Sequence, residues 1–339
     1  MACQNIFSIK GSSFAALVLA SLFTQNVLAQ ESASETTDDS SSSGWSFSLT
    51  TLAASYIERK IETGDDHFAS VAGPFDGAKA MTTFNATYTL PTPLGSHWLL
   101  SGANVELTGS LELSPVSLRP KLGIDFTPVP FLVFGAGASI GSGWNPLGFD
   151  GMSKYNFKKA EYESLTPFAH YYYDYWASAT FQFDTGALIE GDWSHVVLVA
   201  SYKWIYQGIT GVDDGEIWEW QVFPGCANGW QYSVTGVLGY QMPLVLNMVG
   251  VMGEFYGHYD PADYGKIGKT FDGDFMWIDL SLLLSFKLNE TNSLTTLYTV
   301  EGERSFATKH EKADEEPLLV KTGREWFFYR IALSWKHLF

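Results

Sequence analysis

Residues 116–127 read VSLRPKLGIDFT, and apolar and polar residues alternate through the whole stretch. The apolar file is Val116, Leu118, Pro120, Leu122, Ile124 and Phe126, and the other file is Ser117, Arg119, Lys121, Gly123, Asp125 and Thr127. Successive side chains of a β-strand point to opposite faces. This period of two therefore predicts a strand with one apolar face and one polar face.

The same alternation recurs from residue 45 onward. We predict twelve strands, near residues 45–58, 80–90, 97–112, 116–127, 131–142, 174–189, 194–208, 229–241, 244–257, 274–288, 293–304 and 326–339. Short and long connectors take turns, apart from a brief one at 113–115, so an even number of strands returns the chain to one side of a closed sheet. A tilted membrane strand needs about 9–11 residues. The pattern predicts an all-β, transmembrane, antiparallel up-and-down β-barrel of about 12 strands.

Two other folds compete for these residues. Residues 220–253 carry no charge and could form a spanning helix, but Pro243 would break that helix near its middle. The strands of a soluble β-sandwich also alternate apolar and polar residues. Its apolar files need one shared core, however, and twelve strands in a chain that is 16% aromatic would overfill it.

The first residues predict export. Lys10 precedes an apolar run at 14–23, and the stretch NVLA at 26–29 places small or aliphatic residues before a cleavage site at Ala29. This is the pattern of a cleaved signal peptide over residues 1–29. Residues 30–44 are rich in Ser, Thr and acidic residues and predict a disordered linker. The barrel then occupies residues 45–339. The net charge of −17 excludes nucleic acid as an expected partner, because phosphates need Lys and Arg.

The last strand, FFYRIALSWKHLF at 327–339, ends on an aromatic residue. With the export signal and the loop alternation, it resembles the bacterial outer-membrane β-barrel proteins. The resemblance implies an outer-membrane location after Sec export, periplasmic termini, and contact with lipid and lipopolysaccharide. It also implies that the last strand carries a signal that the barrel-assembly machinery recognises. That signal would be Tyr329, Ile331, Leu333, Trp335 and Phe339. The chain departs from this class at His337, where Tyr is commoner, and at Pro120, which cannot donate a backbone hydrogen bond in a closed sheet. Pro120 therefore leaves the register of its strand open.

The polar files would then face the lumen. The lumen-lining candidates are Asn104, Glu106, Arg119, Lys121, Asp125, Gln182, Asp184, Lys203, Asp279, Glu301, Glu303, Arg330 and Lys336. Both charge signs occur, so the lumen could be an aqueous channel or an interior filled by salt bridges. We therefore expect a porin-like channel for a small hydrophilic solute. The alternative is a closed-lumen barrel that acts as an adhesin or a structural outer-membrane protein.

An outer-membrane lipid hydrolase is the enzymatic alternative, and we do not predict it. The adjacent pairs Ser96–His97 and Ser194–His195 lie at short turns and outside any recognisable motif, while His170 and His258 lack an evident serine partner. The acidic long loops could hold calcium but lack the spacing of a calcium loop, so we expect solvated loop tips and no cofactor or metal.

Aromatic residues near the strand ends predict interfacial girdles. We assign Tyr206, Trp204, Trp176 and Trp230 to the outer interface, and Trp98 and Trp193 to the inner one. The same rings could equally form a platform on which a sugar stacks.

Overall fold

The computed structural model describes residues 43–339 except 93, 95, 96, 98, 147–150, 222, 311 and 312. The predicted signal peptide, most of the predicted linker, and Ser96 and Trp98 therefore lie outside the described residues. No helix in the described ranges is both long enough and apolar enough to cross a membrane.

The described chain is dominated by β-strands. They are β1 (Gly44–Arg59), β2 (His67–Phe68), β3 (Val71–Pro91), β4 (Asn104–Ser114), β5 (Ser117–Val129), β6 (Leu132–Gly143), β7 (Met152–Asn156), β8 (Glu161–Ser164), β9 (Tyr172–Asp184), β10 (Val196–Ile209), β11 (Ile217–Trp220), β12 (Phe223–Ala227), β13 (Gly229–Gln241), β14 (Leu246–His258), β15 (Trp277–Lys287), β16 (Asn292–Phe306) and β17 (Lys321–Leu338). Short 3-10 turns lie at Thr185–Ala187, Pro261–Ile267 and Ala313–Leu318.

Twelve long strands form one closed antiparallel sheet. Their order is β1-β3-β4-β5-β6-β9-β10-β13-β14-β15-β16-β17, and β17 pairs back onto β1. The two-residue β2 adds a short parallel pairing to β17. Because closure leaves every long strand with two neighbours, the backbone hydrogen bonds of the sheet are satisfied within the protein. The predicted twelve-stranded up-and-down barrel is confirmed, although β3 and β17 begin earlier than expected and β4 begins later.

The two ends of the barrel differ in their connections. At one end lie most of the longer connections, 60–70, 144–171, 210–228, 259–276 and 307–320, together with a two-residue turn at 115–116. At the other end lie the connections 92–103, 130–131, 185–195, 242–245 and 288–291, and both Gly44 and Phe339. We call these the long-loop end and the short-turn end.

The outer wall of the barrel is apolar. Exposed apolar side chains on the outward files include Phe84, Leu107, Leu111, Leu122, Ile124, Phe134, Phe181, Leu198, Leu238, Val251, Leu280, Leu282, Tyr298, Ile331 and Leu333. Leu122, at the middle of β5, is 73% exposed. Such a continuous apolar band is the surface that a transmembrane barrel presents to hydrocarbon.

Pro120 does not shift the register of β5. The pairing with β4 runs without a break through Leu111 opposite Pro120. The pairing with β6 skips Arg119 and Pro120 and resumes at Lys121 in the same register. The missing N–H of Pro120 therefore costs pairing on one side only.

The last strand departs from strict alternation. A register irregularity against β16 lies between Thr299 and Val300, and it leaves Tyr329 and Arg330 both on the inner side, at 5% and 4% exposure. Tyr329 therefore faces inward, unlike Ile331 and Leu333 of the same predicted signal, because a bulge shifts the alternation there by one residue.

Part of the inner wall carries a buried apolar cluster. Its buried inward side chains are Leu52, Val197, Val199, Val237, Met248, Met252, Leu283, Leu297 and Ala332 on β1, β10 and β13 to β17. Leu283 and Leu297 are 0% exposed. This part of the barrel is filled by side chains, and the inward files of these strands are mixed, because buried polar residues such as Ser281 and Thr299 alternate with the apolar ones.

Candidate functional site in the barrel lumen

Two of the longer connections fold into a second sheet at the long-loop end. Its strand order is β12-β11-β7-β8, and we call this sheet the cap. Trp218 and Met152 are 0% exposed in its core. Trp220 stacks on Tyr172 of β9, with ring centroids 4.6 Å apart. Burial also raises the pKa of the Cys226 thiol well above its usual value. The core of these two loops is therefore buried, while the acidic residues Asp213 and Asp214 are exposed, as expected for solvated tips.

The tip of the β11–β12 hairpin reaches the inner wall of the barrel. Gln221 has a φ of 52°, in the left-handed region that few residues other than glycine adopt. Its Nε2 donates to Glu112 Oε1 at 3.0 Å and to Ser117 Oγ at 2.8 Å. Gln221, Glu112 and Ser117 are all buried. The cap therefore reaches into the long-loop end of the lumen and contacts its inner wall there.

Glycines on β6 make room for the cap. The inward file of this strand includes Gly135, Gly137, Gly141 and Gly143. A Cβ at Gly141 would lie 2.9 Å from Trp220 of the cap, and one at Gly143 would lie 2.5 Å from the backbone of Gly151. The cap therefore packs directly against the backbone of β6 at these glycines.

Below the cap, one group of charges is paired. Glu112 accepts from Arg119 at 3.1 Å and also from Lys121. Arg119 lies 3.7 Å from Asp174 Oδ2, and that same oxygen accepts from Ser139 Oγ at 2.8 Å. Because each cation has a carboxylate beside it, these side chains form a fixed network.

A second charged group lies on the opposite wall. Arg330 NH2 is 3.8 Å from Asp279 Oδ2, and both residues are buried. Asp279 is paired across the sheet with Glu301, which is buried as well. Nearer the long-loop end, Arg59 forms ion pairs with Glu303 and Glu325.

The remaining part of the inner wall is polar and partly exposed. These inward residues of β4, β5, β9 and β10 are Glu106, Thr108, Asp125, Thr127, Ser178, Thr180, Gln182 and Lys203, and we call them the polar strip. Nearer the long-loop end of the same wall, Glu112, Ser139 and Tyr172 are buried, whereas the side chains of Arg119 and Lys121 keep 16% and 24% exposure. The strip therefore lies on the short-turn side of a wall that is more buried toward the cap.

Trp176 borders the polar strip. Its ring lies over β5 and β6, where a Cβ at Gly137 would be 2.6 Å away and one at Gly123 would be 3.7 Å away. Lys203 Nζ lies 4.3 Å from the ring centroid of Trp176. The assignment of Trp176 to an interfacial girdle is therefore wrong, because its ring faces the lumen.

The other lumen candidates lie at the rim or in the packed interior. At the short-turn end, Asn104 Nδ2 donates to Gly102 O at 3.2 Å, beside Gln182 of the polar strip, whose Nε2 donates to Pro130 O at 2.9 Å. Asp184 accepts from the backbone N of Gly186 at 2.9 Å. Glu303 and Lys336 are buried. The structure thus separates the candidates into rim, strip and packed groups.

The outward aromatic residues cluster on a few strands. Tyr175 and Tyr206 stack with centroids 5.1 Å apart, and Trp230 meets Tyr206 edge-on at 5.5 Å. Trp204 is exposed on the same side of β10, and Trp193 is exposed in a connection at the short-turn end. Ile331, Leu333, Trp335 and Phe339 of the predicted assembly signal are also exposed.

Ser194 and His195, an adjacent pair considered above, have separate hydrogen-bond partners. Ser194 Oγ donates to the carbonyls of Ile189 and Gly191 at 2.7 and 2.6 Å, while His195 Nδ1 pairs with Asp184 at 2.8 Å. His170 is bonded to a backbone carbonyl. In the described part of the chain, no three His, Cys, Asp or Glu side chains are grouped to hold a metal ion.

Scans against protein-family models and curated proteins find no match to this chain. Among solved structures, an outer-membrane channel from Pseudomonas putida has 9% identity and a TM-score of 0.44, over 87% of this chain and 96% of that one. The KdgM porin has 8% identity and a TM-score of 0.36, over 86% and 99%. The translocator domain of the autotransporter NalP from Neisseria meningitidis has 8% identity and a TM-score of 0.39, over 96% and 98%. At these values, none of the three assigns a role to a residue of this chain.

The class of the protein follows from its own geometry. A closed antiparallel barrel with an even number of strands and an apolar outer band is the architecture of bacterial outer-membrane β-barrels. The predicted class and the predicted location in the bacterial outer membrane are confirmed on this ground.

Proposed function

We propose that this outer-membrane barrel is a narrow channel for small hydrophilic solutes, with the polar strip as its conducting path. The observation that carries the proposal is the division of the inner wall. An interior that served only to fill itself would be buried all round, whereas the strip remains partly exposed and carries both charge signs. Charged groups along a narrow aqueous path select the ions and solutes that enter it.

The cap reaches into one end of the channel in this structure. The cap covers the strip at the long-loop end, and the contact of Gln221 with Glu112 holds its tip against the wall. Conduction therefore requires the hairpin tip to leave the wall while the barrel stays closed as a sheet. We place the short-turn end and both termini in the periplasm, so the cap faces the outside of the cell.

The packed interior favours a second candidate. Leu283, Leu297 and Val197 are 0% exposed inside the barrel, and together with the cap they fit a closed-lumen barrel. Such a protein would serve as a structural or adhesive outer-membrane component.

Planar-bilayer recording of the refolded full chain separates the two candidates. A channel gives discrete conductance steps, and their frequency rises when Gln221→Asn frees the tip of the cap. Folding is monitored on the same preparation by the heat-dependent shift in gel mobility. A folded barrel that stays silent for both proteins would overturn the channel and support the closed-lumen candidate.

A further inference from the structure

The inward charges of β4, β5, β9 and β10 differ in whether they have an ion-pair partner. Arg119 and Lys121 belong to the network around Glu112. Lys203 and Asp125 take part in no ion pair within the described ranges, and Lys203 Nζ instead contacts the ring of Trp176. An ammonium and a carboxylate on the partly exposed strip are therefore available to a solute.

These two charges lie on one row of the sheet. Asp125 pairs with Gly135, Gly135 with Ser178, and Ser178 with Lys203. Three strand spacings separate Asp125 from Lys203, which is about 14 Å between their Cα atoms along the sheet. Only a glycine and a serine stand between them on this row, and we call this stretch of wall, with opposite charges on its two sides, the notch.

Trp176 forms the border of the notch toward the long-loop end. A Cβ at Gly135 would lie 2.5 Å from Asp125 Oδ1, 2.7 Å from Ser178 Oγ and 3.0 Å from the Trp176 ring. The carboxylate, the hydroxyl and the edge of the indole therefore converge over this glycine. An indole surface beside charged groups suits the apolar or flat body of a small solute.

The pair of charges discriminates among solutes. A simple anion would be attracted by Lys203 but repelled by Asp125 and by Glu106, which pairs directly with Asp125 across the sheet. A simple cation would be attracted by Asp125 and Glu106 but repelled by Lys203. A solute that carries both an ammonium and a carboxylate satisfies both sides, and charge complementarity of this kind sets specificity.

We propose that Lys203, Asp125 and Trp176 form the solute-selecting site of the channel, and that it takes small zwitterions with a flat or apolar body. The carboxylate of the solute pairs with Lys203 Nζ, its ammonium pairs with Asp125, and its body lies against Trp176. The inference rests on the proposed function, because the solute reaches the notch along the polar strip.

Calorimetric titration of the refolded full chain in detergent micelles tests the site without requiring conduction. The probes are L-phenylalanine, N-acetyl-L-phenylalanine, which lacks the ammonium, and L-phenylalaninamide, which lacks the carboxylate. We expect both analogues to bind at least about tenfold more weakly than L-phenylalanine, since each leaves one charge of the notch unpaired. Protein-free micelles give the background.

Variants show where the probe binds. Lys203→Gln and Asp125→Asn should each lower the affinity for L-phenylalanine about tenfold. Gly135→Ala should weaken binding by pushing apart the side chains around the notch. Gly123→Ala is its control, since that Cβ meets Trp176 at an ordinary 3.7 Å.

Different results would contradict the proposed site and the proposed channel. Equal binding of the three probes, absence of L-phenylalanine binding to a folded barrel, or binding unchanged by Lys203→Gln would overturn the site. Conductance steps without this binding would leave the channel standing and remove the site. Specific binding to a silent barrel would retain the site and remove the channel.

Discussion

Gln221 and Glu112 are 109 residues apart in the chain, and a hydrogen bond of 3.0 Å from Gln221 Nε2 to Glu112 Oε1 joins them inside the barrel. One belongs to a loop hairpin and the other to a strand of the wall. Because Glu112 is also paired with Arg119 and Lys121, the contact couples the cap to the charged network beneath it. Movement of the hairpin tip away from the wall would therefore have to break this hydrogen bond.

Gln221→Asn should destabilise the folded barrel. Asn accepts the left-handed backbone of this position but is too short to keep the contact, and loss of a buried hydrogen bond to a charged group costs about 1–3 kcal/mol. Urea unfolding in lipid vesicles measures the change. Gln241→Asn, near the short-turn end, is the matched control and should stay within about 0.5 kcal/mol of the native protein. Equal effects of the two variants would contradict the role of the contact.

Leu283→Ala should be costly and Leu282→Ala should not. Leu283 is 0% exposed inside the barrel, whereas its neighbour Leu282 is exposed on the outer face. Truncating a leucine in a packed core costs about 2–5 kcal/mol. The free energies of unfolding of the two variants give the comparison. A small and similar loss for both would mean that the inner wall at Leu283 is wet.

Arg at Leu122 should be far less tolerated than Arg at Gln182. Leu122 lies on the outer face near the middle of β5, where Arg costs about 2–4 kcal/mol in a bilayer. Gln182 belongs to the partly exposed strip, so a charge there remains solvated. The folded fraction in vesicles, read from gel mobility, checks both variants. A better-folded Leu122→Arg protein would show that the faces are reversed.

The folded conformation of the connection 60–70 should be more stable at acidic pH than at alkaline pH. Burial lowers the pKa of His67, but its hydrogen bonds to the Asp65 carbonyl and the Glu325 carboxylate outweigh burial and leave that pKa raised. The stabilisation from a raised pKa is fully present below the unfolded value of about 6.5 and is lost as the pH rises through the folded-state pKa. Proteolysis of residues 60–70 should therefore be slower at pH 5.5 than at pH 8.

His67→Gln tests the assignment of this pH dependence. The variant should lose the difference in cleavage rate between the two pH values, because Gln does not titrate. Lys158→Gln, on an exposed turn between β7 and β8, should keep the difference. A pH dependence that survives in His67→Gln would assign it to another group.

The sequence predicts the barrel because its main determinant is local. Each strand shows its two faces through alternation, as in residues 116–127, and the connectors are read directly between the strands. The bulge at Tyr329 escapes this reasoning, since one extra residue reverses the faces without leaving a signal in the residue types. The buried Leu283 and Leu297 also escape it, because apolar residues on both files are equally compatible with either face.

The lumen site is only partly predictable. Lys203 and Asp125 follow from alternation, but their freedom from the ion-pair network depends on where Arg119 and Glu112 lie in space. The girdle assignment of Trp176 rests on its residue type, whereas its even spacing from Gln182 places both side chains on the same face. The alternate glycines of GAGASIGSG at 135–143 are the signal that could have indicated rings packed inside β6.

The reversal potential of the channel in a salt gradient tests the central claim most directly. If ions pass along the polar strip, replacing both Glu106 and Asp125 by their amides should move the reversal potential toward the chloride equilibrium value, since two negative charges leave the path. Glu290→Gln, on an exposed turn at the short-turn end, should leave the potential within error of the native one. A folded barrel that conducts with the same reversal potential in all three proteins, or that never conducts, would contradict the polar strip as the conducting path.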